Sequence, residues 1–93
     1  MTILKQPLAI QDKQIISLLG NEVEPLSVKE QSGRLVMYYK TDLDIHSISQ
    51  EGPFTDITIL IVGTGHTRLD TEKADYIGTV VMSNGLVWHY FKE

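Results

Sequence analysis

The chain has 93 residues, 42% hydrophobic and 22% charged, and its eight Lys and Arg against twelve Asp and Glu leave a formal charge of −4. At this length one domain over residues 1–93 is expected, with folding hiding roughly 60–70% of the surface of the extended chain. The absence of cysteine excludes disulfides, thiolate nucleophiles and cysteine-ligated metal centres. The acidic balance and the scatter of the basic residues argue against long nucleic acid as a partner, since that affinity comes from Lys and Arg displacing counterions along a phosphate backbone.

Residues 1–10, MTILKQPLAI, lack the continuous apolar stretch and small-residue cleavage site of a secretory signal. No run of about 18 apolar residues could span a bilayer, so a cytoplasmic protein is expected. Short apolar segments then alternate with turn signals, which predicts strands near residues 2–10, 13–19, 25–31, 34–41, 56–63, 76–82 and 86–92. That pattern reads as all-β, a small antiparallel sandwich or open barrel of about seven strands joined by hairpins.

Ser32-Gly33 and Ser83-Asn84-Gly85 each separate two strand-like runs, and Asn and Gly tolerate the positive φ that tight hairpins require. Both junctions are predicted hairpins. Residues 42–56, DLDIHSISQEGPFTD, are polar without a stable period and read as an exposed loop. Leu69 to Asp75 is a second connection, with room for one helical turn at most.

Side chains of a strand alternate between faces. Ile57, Ile59 and Ile61 therefore oppose Thr58, Leu60 and Val62, while Leu86, Trp88 and Tyr90 oppose Val87, His89 and Phe91. By the same rule Val80 and Met82 oppose Ile77 and Val81. Both faces are mostly apolar, so either the sheet closes on itself or a second copy covers it. Self-association through the carboxy-terminal sheet is the expectation.

The stretch IVGTGHTRLD, Ile61 to Asp70, ends an apolar run at two glycines. Successive amides in such a bend can converge into an anion-binding nest. Gly63, Thr64 and Gly65 would form the cup, with His66, Thr67 and Arg68 adding donors and Arg68 gripping a phosphate bidentately. The plainer reading is that the glycines let the chain leave the sheet. The dinucleotide fingerprint is excluded, because Arg68 stands where its third glycine belongs, and the Gly-Lys-Ser/Thr of a P-loop is absent.

In GLVWHYF, Gly85 to Phe91, the succession Trp88-His89-Tyr90 offers rings to stack on a base and groups to bond its edge, or else supplies the tryptophan of a small core. His89 faces away from Trp88 and is the better site candidate. His46, His66 and His89 with Asp70 have no metal-ligand spacing, so neither metal nor cofactor is expected. No Gly-x-Ser-x-Gly elbow is present, and general acid–base work by His66 with Asp70 or His89 is the only catalytic chemistry left open.

The stretches IVGTGHTRLD and YIGTVVMSNGLVWHYF, with PLAIQDKQIISLL and LSVKEQSGRLVMYY, resemble a domain of unknown function found in short phage and bacterial proteins, in which Gly-Thr-Gly-His and Leu-Val-Trp-His recur. Members of that family carry proline directly after Gly-Thr-Gly-His, where Thr67 and Arg68 stand here. The resemblance implies a phage-linked protein acting in the host cytoplasm. By analogy of size and setting alone, the expected function is non-catalytic sequestration of a nucleotide-derived signal of host antiviral defence, such as a cyclic ADP-ribose derivative or a cyclic dinucleotide. The expected ligand-binding residues are Gly63, Thr64, Gly65, His66, Thr67, Arg68, Trp88, His89 and Tyr90, in a homo-oligomer. The alternatives are a protein–protein interaction module inhibiting a host protein, and a small phosphodiesterase using His66 and His89.

Overall fold

A computed structural model describes residues 1–44, 46, 48 and 51–93. Among the described residues seven strands follow in chain order: β1 (Thr2–Leu8), β2 (Lys13–Leu19), β3 (Val23–Gln31), β4 (Arg34–Thr41), β5 (Phe54–Gly63), β6 (Asp75–Val81) and β7 (Val87–Lys92). A short 3-10 turn, Leu69–Thr71, lies between β5 and β6 and takes the place of the helical turn allowed there. The strands build two sheets, β1-β4-β3 and β2-β5-β7-β6, and every neighbouring pair is antiparallel. The architecture is a sandwich, not a closed barrel.

Alternation explains the core. Leu35, Met37 and Tyr39 of β4 meet Ile57, Ile59 and Ile61 of β5, and Leu18 and Tyr90 fill the space between the sheets. Both expected hairpins form, with Ser32 and Gly33 turning between β3 and β4 at φ of 51° and 79°. The remaining connections are not hairpins within a sheet. The chain changes sheet between β1 and β2, β2 and β3, and β4 and β5, whereas β5 and β6 run parallel with β7 between them and are joined by a crossover. The expected loop over 42–56 ends earlier, at β5, and residues 45, 47, 49 and 50 of it lie outside the described residues.

Two features depart from simple alternation. The register of β6 on β7 shifts between Tyr76 and Gly78, a bulge that turns Ile77 toward the core alongside Val80 and Met82 instead of opposite them. On β5, Leu60 points to the outer face and is nonetheless fully buried, flanked in register by Lys13 on β2 and Phe91 on β7. The ring of Phe91 meets Tyr76 edge-on at 5.6 Å, and Lys13 pairs with Glu93 at 3.3 Å. Part of the outer face is thus covered by its own side chains, which snorkel their charges to water over apolar neighbours. Among the described residues no helix is long and apolar enough to cross a membrane.

Candidate functional site

The end of β5 turns sharply at Gly63–His66. The His66 N–H donates to the Gly63 carbonyl at 3.1 Å, and Gly65, at φ 86°, holds the left-handed third position of a type II turn. The Thr64 N–H donates to the Val87 carbonyl at 3.4 Å. The open amide cup expected here is therefore corrected: the amides of Thr64 and His66 are engaged by carbonyls of their own chain.

His66 folds back over Gly63. A Cβ on Gly63 would lie 3.1 Å from His66 Nδ1 and 3.4 Å from Trp88 Cζ3, so the glycine exists to let imidazole and indole lie against the strand. Two clefts open beside these side chains. The larger, of about 420 Å³, is walled by Gly63, His66, Thr67, Arg68 and Trp88 with Asp12 at its rim, and the smaller, of about 220 Å³, by Gly63, Thr64, His66 and Trp88 with residues 85–87. Another opening of about 420 Å³ at the ends of β3 and β4 presents Glu22, Glu24 and Asp42 against the amino group of Met1 and Lys40, the latter paired with Glu24 at 3.0 Å. That charge balance repels an anion and leaves the His66 cleft as the better candidate.

Arg68 is less free than its sequence position suggests. Its Nε and Nη2 donate to the two carboxylate oxygens of Asp70 at 2.7 and 3.2 Å, and Nη1 donates to the carbonyl of Asp12 and, at 3.5 Å, to that of Ile61. The guanidinium pins the crossover to the starts of β2 and the end of β5. Its hydrogen bonds hold the Asp70 carboxyl below the usual carboxylate range, and Asp70 in turn raises the Arg68 pKa. A phosphate entering the cleft would have to share or displace Asp70.

His89 lies on the outer face of the sheet, as alternation predicts, and borders neither cleft. Its Nε2 bonds Thr64 Oγ1 at 2.8 Å and its Nδ1 bonds Thr79 Oγ1 at 2.9 Å, which in turn meets the Tyr76 hydroxyl at 2.5 Å. Each ring nitrogen thus meets a threonine hydroxyl, a group that can donate or accept. The ring thereby staples the Gly63–His66 turn to β6. His66 and His89 share no hydrogen bond and no cleft among the described residues.

Tyr90 is corrected from ligand contact to core: it is fully buried between the sheets, and burial pushes its hydroxyl up to about 12. Trp88 is half-buried against the edge of the core and lines both clefts. His46, in the loop after β4, is exposed, and no three His, Asp or Glu converge as a metal set among the described residues. Asp12 and the pair Tyr76 and Thr79 were not legible in the sequence. Asp12 reaches the site only through sheet pairing, and residues three apart share a strand face only because of the β6 bulge.

Fold and site together define an all-β, two-sheet sandwich with an open, tryptophan-walled cleft at one end of its larger sheet. A family model matches residues 1–93, and the chain belongs to that family, a domain of unknown function (DUF7352). No curated protein and no solved structure matches the chain.

Proposed function

We propose that this domain binds a small phosphorylated nucleotide-derived ligand without transforming it, in the cleft lined by His66, Arg68 and Trp88. The observation that carries this reading is convergence: five of the residues singled out in the sequence, from the turn and from β7, wall one cleft of about 420 Å³. That volume lies in the range of small-ligand sites, which combine apolar or aromatic walls with a few polar groups. Trp88 and His66 supply faces for a base, and Thr67 and Arg68 supply donors for phosphate. The separation of His66 from His89 favours binding over hydrolysis by that pair. Within this reading the protein is a phage-encoded, self-associating sequestering agent in the host cytoplasm, and its ligand is a cyclic ADP-ribose derivative or a cyclic dinucleotide produced in antiviral defence.

Trp88 is the single tryptophan, so its emission reports on the cleft directly. Titration with cyclic dinucleotides and ADP-ribose derivatives is expected to give saturable heat together with a change in Trp88 emission, and denaturation is expected to release the ligand unaltered. Arg68→Ala should weaken binding by about tenfold or more, the loss of a charge-assisted bond. Asp70→Asn should tighten it by freeing the guanidinium. Silence across the panel, or a stoichiometric host protein captured equally by wild type and His66→Ala, would replace this reading with a protein-interaction module.

A further inference from the structure

We propose that two copies of this chain pair through the free edge of β2, in antiparallel register with Ile15 on the two-fold axis, so that the two four-stranded sheets become one continuous sheet. The proposal names the surface by which copies meet in the reading above, but it rests on the sheet edge and not on the ligand.

Four strands lie at sheet edges: β1, β3, β2 and β6. β3 and β6 lie against one another across the sandwich, and both carry register shifts that disturb a straight edge. β1 carries the exposed Pro7, which has no N–H to offer a further strand. β2, KQIISLL, has neither a proline nor a bulge, and no described strand pairs with its outer side.

The hydrogen-bond phase of β2 identifies the available groups. The Ile61 N–H donates to the Asp12 carbonyl at 3.0 Å, and the register then directs even-numbered residues of β2 toward β5 and odd-numbered ones toward the open edge. At one end of that edge the Leu19 N–H is already engaged by the Tyr39 hydroxyl, at 3.2 Å. Lys13, Ile15 and Ser17 remain, each presenting an N–H and a C=O outward.

A second copy fits this edge by self-complementarity. With Ile15 opposite the partner's Ile15, Lys13 faces the partner's Ser17 and Ser17 faces the partner's Lys13, and all three pairs are of the hydrogen-bonded kind. Ile15, which is 69% exposed in the single chain, then packs against its own symmetry mate. Asp56 bonds Ser17 Oγ at 2.5 Å on the neighbouring strand. It therefore sits two strand spacings, about 9.6 Å, from the incoming lysine, opposite in charge and within reach of a long side chain. The pairing also brings the partner's β2 past Asp12, at the rim of the Arg68 cleft.

Light scattering on a sizing column should report twice the chain mass of 10.5 kDa for wild type. Ile15→Pro removes one outward N–H while leaving the bonds to β5 intact, and it should give the single-chain mass with an unchanged far-ultraviolet spectrum. The register has its own test, because the chain has no cysteine. Hydrogen-bonded antiparallel partners stand about 5.5 Å apart at Cα, with Cβ atoms too far apart for a relaxed disulfide but within the span of a short bifunctional thiol reagent. Ile15→Cys should therefore cross-link with such a reagent, and Ile3→Cys, at a similarly exposed position on β1, should not. A monomeric wild type, or Ile15→Cys that cross-links no faster than Ile3→Cys, overturns the proposal. Ligand binding by a monomer would leave the functional reading standing without it.

Discussion

At the scale of single residues, the side chains of this protein divide by whether their polar atoms have partners. Arg68 and His89 are engaged on every side described above, whereas the hydroxyl of Tyr90 is fully buried with no hydrogen-bond partner among the described residues. A buried unsatisfied polar group costs about 1–3 kcal/mol. Tyr90→Phe is therefore expected to raise stability by about 1 kcal/mol in urea denaturation, and a loss of similar size would reveal a hidden partner. The pH dependence has a definite sign. The folded-state pKa of Tyr90, about 12, lies above the unfolded value near 10, so its contribution is present below about pH 10 and is lost as pH rises toward 12. Tyr90→Phe should melt less steeply with pH in that window than wild type.

At the scale of elements, the passage from β2 to β3 carries the chain from one sheet to the other at Gly20, a close approach with no space to spare. A Cβ there would fall 2.1 Å from Thr41 Oγ1 and 2.8 Å from Asp42 Oδ1, and Thr41 is itself buried. Gly20→Ala should cost about 2–3 kcal/mol, read as a fall in the urea midpoint, because a packed threonine cannot yield that far. Asp42 closes the same junction by accepting the N–H groups of Glu22 at 3.2 Å and Asn21 at 3.0 Å. The Glu22 amide is the main cause of its lowered pKa. A carboxyl lowered in the folded state contributes stability above its unfolded pKa, near 3.9, and loses it as pH falls through the lower folded value. The melting temperature should accordingly drop on acidification below about pH 4, and Asp42→Asn should flatten that drop. A wild-type curve identical to that of Asp42→Asn would show that the junction does not depend on the charge. The strands around this junction were legible because alternation and turn residues act within a few positions. The bulge at Ile77 was not, since YIGTVV reads as an even strand and the shift arises where β6 lies against β7 and β3.

At the scale of the whole molecule, a sandwich of this size has total stability of about 5–14 kcal/mol, so one core contact is a large share of it. Ile59 is fully buried between the sheets, whereas Val81 is 69% exposed on the outer face. Ile59→Ala should cost about 2–5 kcal/mol and Val81→Ala less than about 0.5 kcal/mol, compared by urea denaturation. Equal losses would mean that the apolar outer face is covered as completely as the core. Leu60 marks the boundary between these cases: it points outward and yet is shielded by Lys13 and Phe91, so hydrophobicity on both faces of β5 does not by itself demand a second copy. The open backbone of β2 is the stronger reason to expect one.

The sequence by itself determined the strands, the two hairpins, the faces of β5 and β7, and the turn from which the candidate cleft is built, because each depends on periodicity or turn chemistry read over a few residues. Only the tertiary structure decided which strands share a sheet, that Tyr90 is sealed in the core while Trp88 reaches the surface, and that His66 and His89 stand apart. Arg68 shows why. Its donors face a carboxylate two positions along and a carbonyl at Asp12, 56 positions back, and no local pattern encodes a contact that exists only once β2 has paired with β5.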